Sequence, residues 1–124
     1  MSPGGANFAG VASEPTDARG ELEPDQVATL AREGAQLVDV REPDEHLAGH
    51  IEGSVLIELN RLPSETEAID RDRPVVFYCR SGARSELATQ AFRTAGYEAY
   101  NLSGGLHAWA GRGLPLEPAG GRVA

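Results

Sequence analysis

Apolar residues along this chain fall into short blocks that switch between two periods. Val27, Leu30 and Ala31 recur at i, i+3 and i+4 behind Pro24, a residue suited to a first helical position, and Gly34 ends the pattern. Gln36–Val40 is then a short apolar run that reads as a buried strand. Asp44–Ala48 predicts one helical turn before Gly49, Ser54–Ile57 a second strand, and Leu62–Ile69 a helix. Pro74–Tyr78 is the clearest central strand, β-branched and aromatic with Pro at its first position. Ser85–Ala95 predicts a helix with Leu87, Ala88, Ala91, Phe92 and Ala95 on one side, closed by Gly96. Ala99–Leu102 is another strand, and Leu106–Ala110 a final short helix ended by Gly111.

Strands alternating with helices predict an α/β domain with a mostly parallel sheet and helices on both faces. In such sheets a ligand sits beyond the carboxyl ends of the strands. Cys79 follows the central strand immediately, so position alone marks it before any chemistry is considered.

The flanks differ in composition. Residues 1–18 are rich in Gly, Ala, Pro and polar residues and read as a flexible tail that cannot bury enough apolar surface to repay its ordering entropy. No charged stretch followed by an apolar one marks a secretory signal. The Gly-rich residues 118–124 read as a second flexible tail, leaving 19–117 as the compact domain.

The length of 124 residues predicts a single domain, with 40% hydrophobic residues to form its core. No apolar run approaches the roughly 18 residues of a membrane span. One cysteine makes neither an intramolecular disulfide nor a multi-cysteine zinc site. The net charge of −8 argues against nucleic-acid binding, which needs a basic footprint. That total conceals an asymmetry: residues 1–70 carry net −11 and residues 71–124 net +3. All the basic residues are arginines, a matter of codon bias, and Cys79 lies in the positive half with Arg80 and Arg84 close by.

A lone cysteine at a strand end is by default a small buried hydrophobe. The turn that follows argues for more. In the run Cys79, Arg80, Ser81, Gly82, Ala83, Arg84, Ser85, positive neighbours and a helix N-terminus stabilise a thiolate. Ser85 is a candidate N-cap, and the peptide N–H groups from Arg80 to Ser85 can curl around the sulfur as an anion-binding nest. Gly82 and Ala83 keep the loop small, and Arg84 offers a fork for an oxyanion, a role Arg80 can share.

With these residues in view, the chain resembles the rhodanese-like domains from about Leu22 to Glu117. The motifs occur in the family's order. Leu37–Glu42 is similar to its first core strand with an Asp-x-Arg signature, and Gly49–Ser54 to its Gly-His-Ile-Pro-Gly-Ala segment. Cys79–Ser85 is similar to its active-site loop, and Asn101–Gly105 with Trp109 and Gly113–Pro115 to its C-terminal signature. The resemblance implies a five-stranded, mostly parallel sheet and a thiosulfate sulfurtransferase. Cys79 would be the nucleophile that carries a persulfide, the loop residues 80–85 would bind the anion, and Asp39 and Arg41 would support the loop from beneath. It implies no cofactor and no metal. The implied partners are a small-molecule sulfur donor and acceptor and a sulfur-relay protein, with no nucleic acid and no membrane, in a cytoplasmic monomer. The rival reading is a non-catalytic or carrier module that docks on a protein partner. Phosphatases and arsenate reductases of this fold carry a Cys-x5-Arg loop, whereas the spacing here is Cys-x4-Arg, a tighter cradle. Two positions depart from the family: Glu52 replaces the usual Pro and His46 the usual aromatic, which puts the packing of residues 46–54 in question.

The remaining candidates read as structural. His46 and His50 lie four apart, but a metal pair needs further ligands. His107 reads as a surface residue and Trp109 as a packing anchor. Asp39 and Arg41 alternate along a strand and so share a face, where they can pair.

Overall fold

The computed structural model describes residues 19–124, so the expected tail 1–18 lies outside the described residues. The chain runs β1 (Glu21–Leu22), α1 (Pro24–Arg32), β2 (Gln36–Asp39), α2 (Pro43–Ala48) and β3 (Val55–Leu56). Two 3-10 turns follow, Leu59–Ser64 and Thr66–Ala68, then β4 (Val75–Tyr78), α3 (Ala83–Thr94), β5 (Ala99–Leu102) and α4 (Gly105–Gly111). The five strands lie in the order β1-β5-β4-β2-β3, and every pairing is parallel.

β4 is the centre of this sheet and is buried along its whole length. Its side chains alternate between two apolar cores, as a strand requires. Val75, Phe77 and Cys79 join one core with Val38, Val40, Ala88 and Phe92, beneath α3 and the 3-10 turns. Val76 and Tyr78 join the other with Leu22, Val27, Leu30, Leu106 and Trp109, beneath α1 and α4. Alternation therefore fixes where the thiol goes: it faces α3.

Two predicted elements come out differently, and one strand was not predicted. The helix expected over Leu62–Ile69 is a pair of 3-10 turns, because Pro63 has no N–H to donate and interrupts the ladder. Helix α3 begins at Ala83 with Gly82 as its N-cap, so Ser85 is not a cap but the third helical residue. Its buried stripe is Ser85, Ala88, Thr89 and Phe92, while Leu87 is 66% exposed, since the helix is turned to bring Ser85 toward Cys79. Strand β1 carries no pattern of its own. Two residues long, it exists because β5 supplies its partners, with Asn101 donating to the Gly20 carbonyl and Ser103 to that of Leu22.

Residues 118–124, expected as a flexible tail, are laid against the domain. His50 and Glu117 form an antiparallel bridge, and the Arg122 N–H donates to the Ala48 carbonyl at 2.9 Å. Val123 packs on the Trp109 core.

Candidate active site

The site is built where β4 ends and α3 begins. Gly82 adopts φ 103°, a left-handed conformation that a side chain would oppose, and this turns the chain back over the strand end. The Gly82 N–H then points at the sulfur and donates to Cys79 Sγ at 3.1 Å. The Ser85 hydroxyl donates to the same atom at 3.4 Å. Cys79, Gly82 and Ser85 are all buried, with Cys79 wholly so. Burial alone pushes the thiol up. The Ser85 hydroxyl and the backbone N–H groups of Ser85, Gly82 and Ser81 outweigh that and hold it below its ordinary range. The sulfur is thus held by neutral dipoles, a peptide N–H and a hydroxyl among them.

The loop is itself gripped from α4. The Leu106 N–H donates to the Cys79 carbonyl at 2.8 Å and the His107 N–H to the Arg80 carbonyl at 3.0 Å. That approach depends on Gly105: with φ 65°, a Cβ there would lie 2.5 Å from both C and O of Arg80. Asn101 at the end of β5 adds a second clamp, its Nδ2 donating to the Gly82 carbonyl at 3.1 Å. It shares that amide with the Glu21 carboxylate. The sequence marks Asn101 as a strand residue and part of a family-like signature, but the clamp depends on tertiary contacts that no local period reports.

The two arginines of the loop have different surroundings. Arg84 makes a two-pronged ion pair with Glu45 of α2, Nη1 to Oε1 at 3.0 Å and Nη2 to Oε2 at 3.1 Å. The pair is partly buried, holds the Glu45 carboxyl below the usual range and raises the Arg84 guanidinium. Arg80 is exposed and its Nε donates to the Ala124 carbonyl at 3.1 Å. Ser81 and Ala83 are exposed at the loop surface.

Asp39 and Arg41 stand one strand away, Asp39 in register with Tyr78. Both are fully buried. Arg41 donates to Asp39 from Nε at 2.8 Å and from Nη2 at 2.6 Å, and its backbone N–H adds a third bond at 3.0 Å. Burial lowers the Arg41 guanidinium, but Asp39 outweighs this and raises it. Nη2 also donates to the Gly49 carbonyl at 2.7 Å, so the pair braces the segment after α2. Their side-chain hydrogen bonds run to each other, to Gly49 and to His46, and not to the Cys79 loop.

The positions that depart from the family are accommodated there. His46 places Nδ1 2.9 Å from Asp39 Oδ2 and stacks on His50 with ring centroids 3.9 Å apart. His50 Nδ1 donates to the His46 carbonyl at 2.8 Å. Tyr78 accepts from the Ile51 N–H at 3.1 Å and bonds the Ser54 hydroxyl at 2.8 Å, which ties residues 51–54 to β4. Glu52 is simply exposed, as is His107. Trp109 is buried, with Nε1 donating to the Pro115 carbonyl at 2.9 Å.

Known proteins are similar to this chain. A family model described as the rhodanese-like domain matches residues 23–112. The chain is 46% identical over 79 residues to the uncharacterized protein YqhL of Bacillus subtilis, covering 63% of each. It therefore spans less than two thirds of the length of that relative. A sulfurtransferase of Allochromatium vinosum is 42% identical over 85 residues, 68% of this chain and 79% of that one. The thiosulfate sulfurtransferase GlpE of Pseudomonas aeruginosa is 37% identical over 89 residues, 71% of this chain and 81% of that one. Among solved structures, a rhodanese-related protein from Thermoplasma volcanium superposes with a TM-score of 0.73 at 25% identity, covering 77% of this chain and 95% of that one.

Proposed function

Because the chain belongs to the rhodanese-like domain family, we propose that it is a sulfurtransferase that moves sulfane sulfur from thiosulfate or another persulfide donor to a thiophilic acceptor through a Cys79 persulfide. The observation that carries this reading is the buried Sγ with Gly82 and Ser85 donating to it at the start of α3.

In the first half-reaction the Cys79 thiolate attacks the outer sulfur of thiosulfate. A new S–S bond forms at Cys79 while the donor's S–S bond breaks, and its electron pair leaves with sulfite. The terminal sulfur keeps the negative charge. The N–H groups that held the thiolate belong to a nest built for one anion and accept that charge in turn. In the second half-reaction cyanide or a thiolate attacks the outer sulfur. The bond to Cys79 breaks, its electrons return to Sγ, and the thiolate is restored.

The donor groups also bear on phosphatase chemistry. The nest closes on a single sulfur, and the loop arginine that would take phosphate oxygens is paired with Glu45. Both features favour sulfur over phosphate.

The test is intact mass after incubation with thiosulfate. The protein is expected to gain about 32 Da, one sulfur, and to lose it on adding cyanide, while Cys79→Ser gains nothing. No gain with thiosulfate removes it as donor. No gain with a desulfurase and cysteine either would leave a docking module with a silent loop.

A further inference from the structure

Resting on the sulfurtransferase reading, we infer that Glu45 is a specificity-determining residue that sets the site against sulfonate-bearing donors and toward persulfides of the form R–S–SH. The argument starts from what each donor demands. The terminal sulfur of either donor is met by the Gly82 N–H and the Ser85 hydroxyl already aimed at Cys79 Sγ. Thiosulfate brings in addition a charged sulfonate, whose oxygens call for a guanidinium fork. Arg84 is the fork beside the thiol, and Glu45 occupies both of its prongs, at 3.0 Å and 3.1 Å.

A sulfonate that takes the Nη1–Nη2 fork of Arg84 must therefore displace a carboxylate. The Glu45 side chain is only 18% exposed, so its charge is poorly hydrated once the partner is lost. It would also face a second anion at close range. A persulfide without a sulfonate incurs neither cost. Its attack by Cys79 breaks only the bond between its two sulfurs, and the R–S group leaves as a thiolate that takes up the proton. The other loop arginine offers no equivalent fork beside the thiol, since Arg80 is exposed and turned to the Ala124 carbonyl.

Glu45 also has a structural task, and the test must separate the two. Its Oε1 accepts from the Glu42 N–H at 2.9 Å in the capping box of α2. Glu45→Gln keeps a carbonyl oxygen for that bond while it removes the charge and one of the two acceptors facing Arg84. The measurement is steady-state transfer to cyanide from thiosulfate and from 2-hydroxyethyl persulfide, for the full chain and the variant. The ratio of kcat/KM for thiosulfate to that for the persulfide is expected to rise about tenfold in Glu45→Gln, the scale of one charge-assisted contact. The change is expected as a lower KM for thiosulfate, with its kcat unaltered. Should Glu45→Gln not fold, Glu45→Asp draws the carboxylate back from the two-pronged pairing, and the ratio is expected to rise about threefold.

An unchanged or falling ratio would overturn the assignment and leave Glu45 as a brace for Arg84. So would a change confined to kcat. If the wild type transfers sulfur from neither donor, the sulfurtransferase reading itself fails and this inference with it. Turnover with both donors and no selective effect rejects Glu45 alone.

Discussion

Two buried acidic groups stand at the ends of neighbouring strands, and they are held in opposite ways. After β2, Asp39 accepts three hydrogen bonds from Arg41 and lies against His46, with charged or chargeable donors on both of its oxygens. After β4, Cys79 accepts from the Gly82 N–H and the Ser85 hydroxyl, with the Ser81 and Ser85 N–H groups adding to them, all neutral. The carboxylate is pinned by a full counter-charge and is removed from chemistry. The thiol is held below its ordinary range by dipoles alone. The sheet sets both within one strand spacing of each other, so the contrast comes from local loop chemistry and not from depth of burial.

That contrast can be broken from either side. The largest effect is expected from Asp39→Ala, which strands the Arg41 guanidinium in the interior. A buried pair broken on one side costs about 3–5 kcal/mol, and a urea melt should read a loss of that size. Any activity loss should follow the fraction unfolded, because the pair hydrogen-bonds to Gly49 and His46 and not to the Cys79 loop.

A smaller effect is expected from Gly105→Ala. The added methyl meets the Arg80 backbone in a conformation that already disfavours a side chain. Overpacking of this kind costs about 2 kcal/mol, and here it should also slow transfer, since the clamp from α4 onto the loop is what shifts. Stability and activity falling together at Gly105, against stability alone at Asp39, would sharpen the distinction.

The smallest is expected from Ser85→Ala, which leaves the peptide donors in place and removes the hydroxyl. A rate loss of about tenfold at neutral pH is the scale of one such contact. The pH profile carries the sign. In the wild type the thiol is held below its ordinary value, so kcat/KM should rise as pH climbs through that lowered value and level off above it. In Ser85→Ala the rise should move to higher pH and the rates converge on the alkaline side. A profile that does not move would mean the hydroxyl does not stabilise the thiolate.

The loop itself was legible in the sequence because it is local: a β-branched strand, a cysteine at its end, then a small basic turn. Strands β2, β4 and β5 and helix α1 were legible for the same reason, each carrying its own period. What was not legible depends on partners far along the chain. Glu45 reaches Arg84 across 39 positions, and only the folded sheet brings them together. Strand β1 is two residues that become a strand by pairing with β5. Ser85 has the chemistry of an N-cap, yet the turn at Gly82 starts the helix earlier and gives the hydroxyl to the sulfur. The contacts of residues 118–124 involve backbone groups, which composition does not report.

Helix α4 holds the only tryptophan of the sequence, on the face of the sheet opposite the thiol. Trp109 thus supplies a built-in fluorophore whose indole is buried and hydrogen-bonded to Pro115. The same helix grips the carbonyls of Cys79 and Arg80. Its emission is therefore mechanically linked to the backbone of the loop and insulated by the sheet from the sulfur itself, which makes the chain its own optical strain gauge.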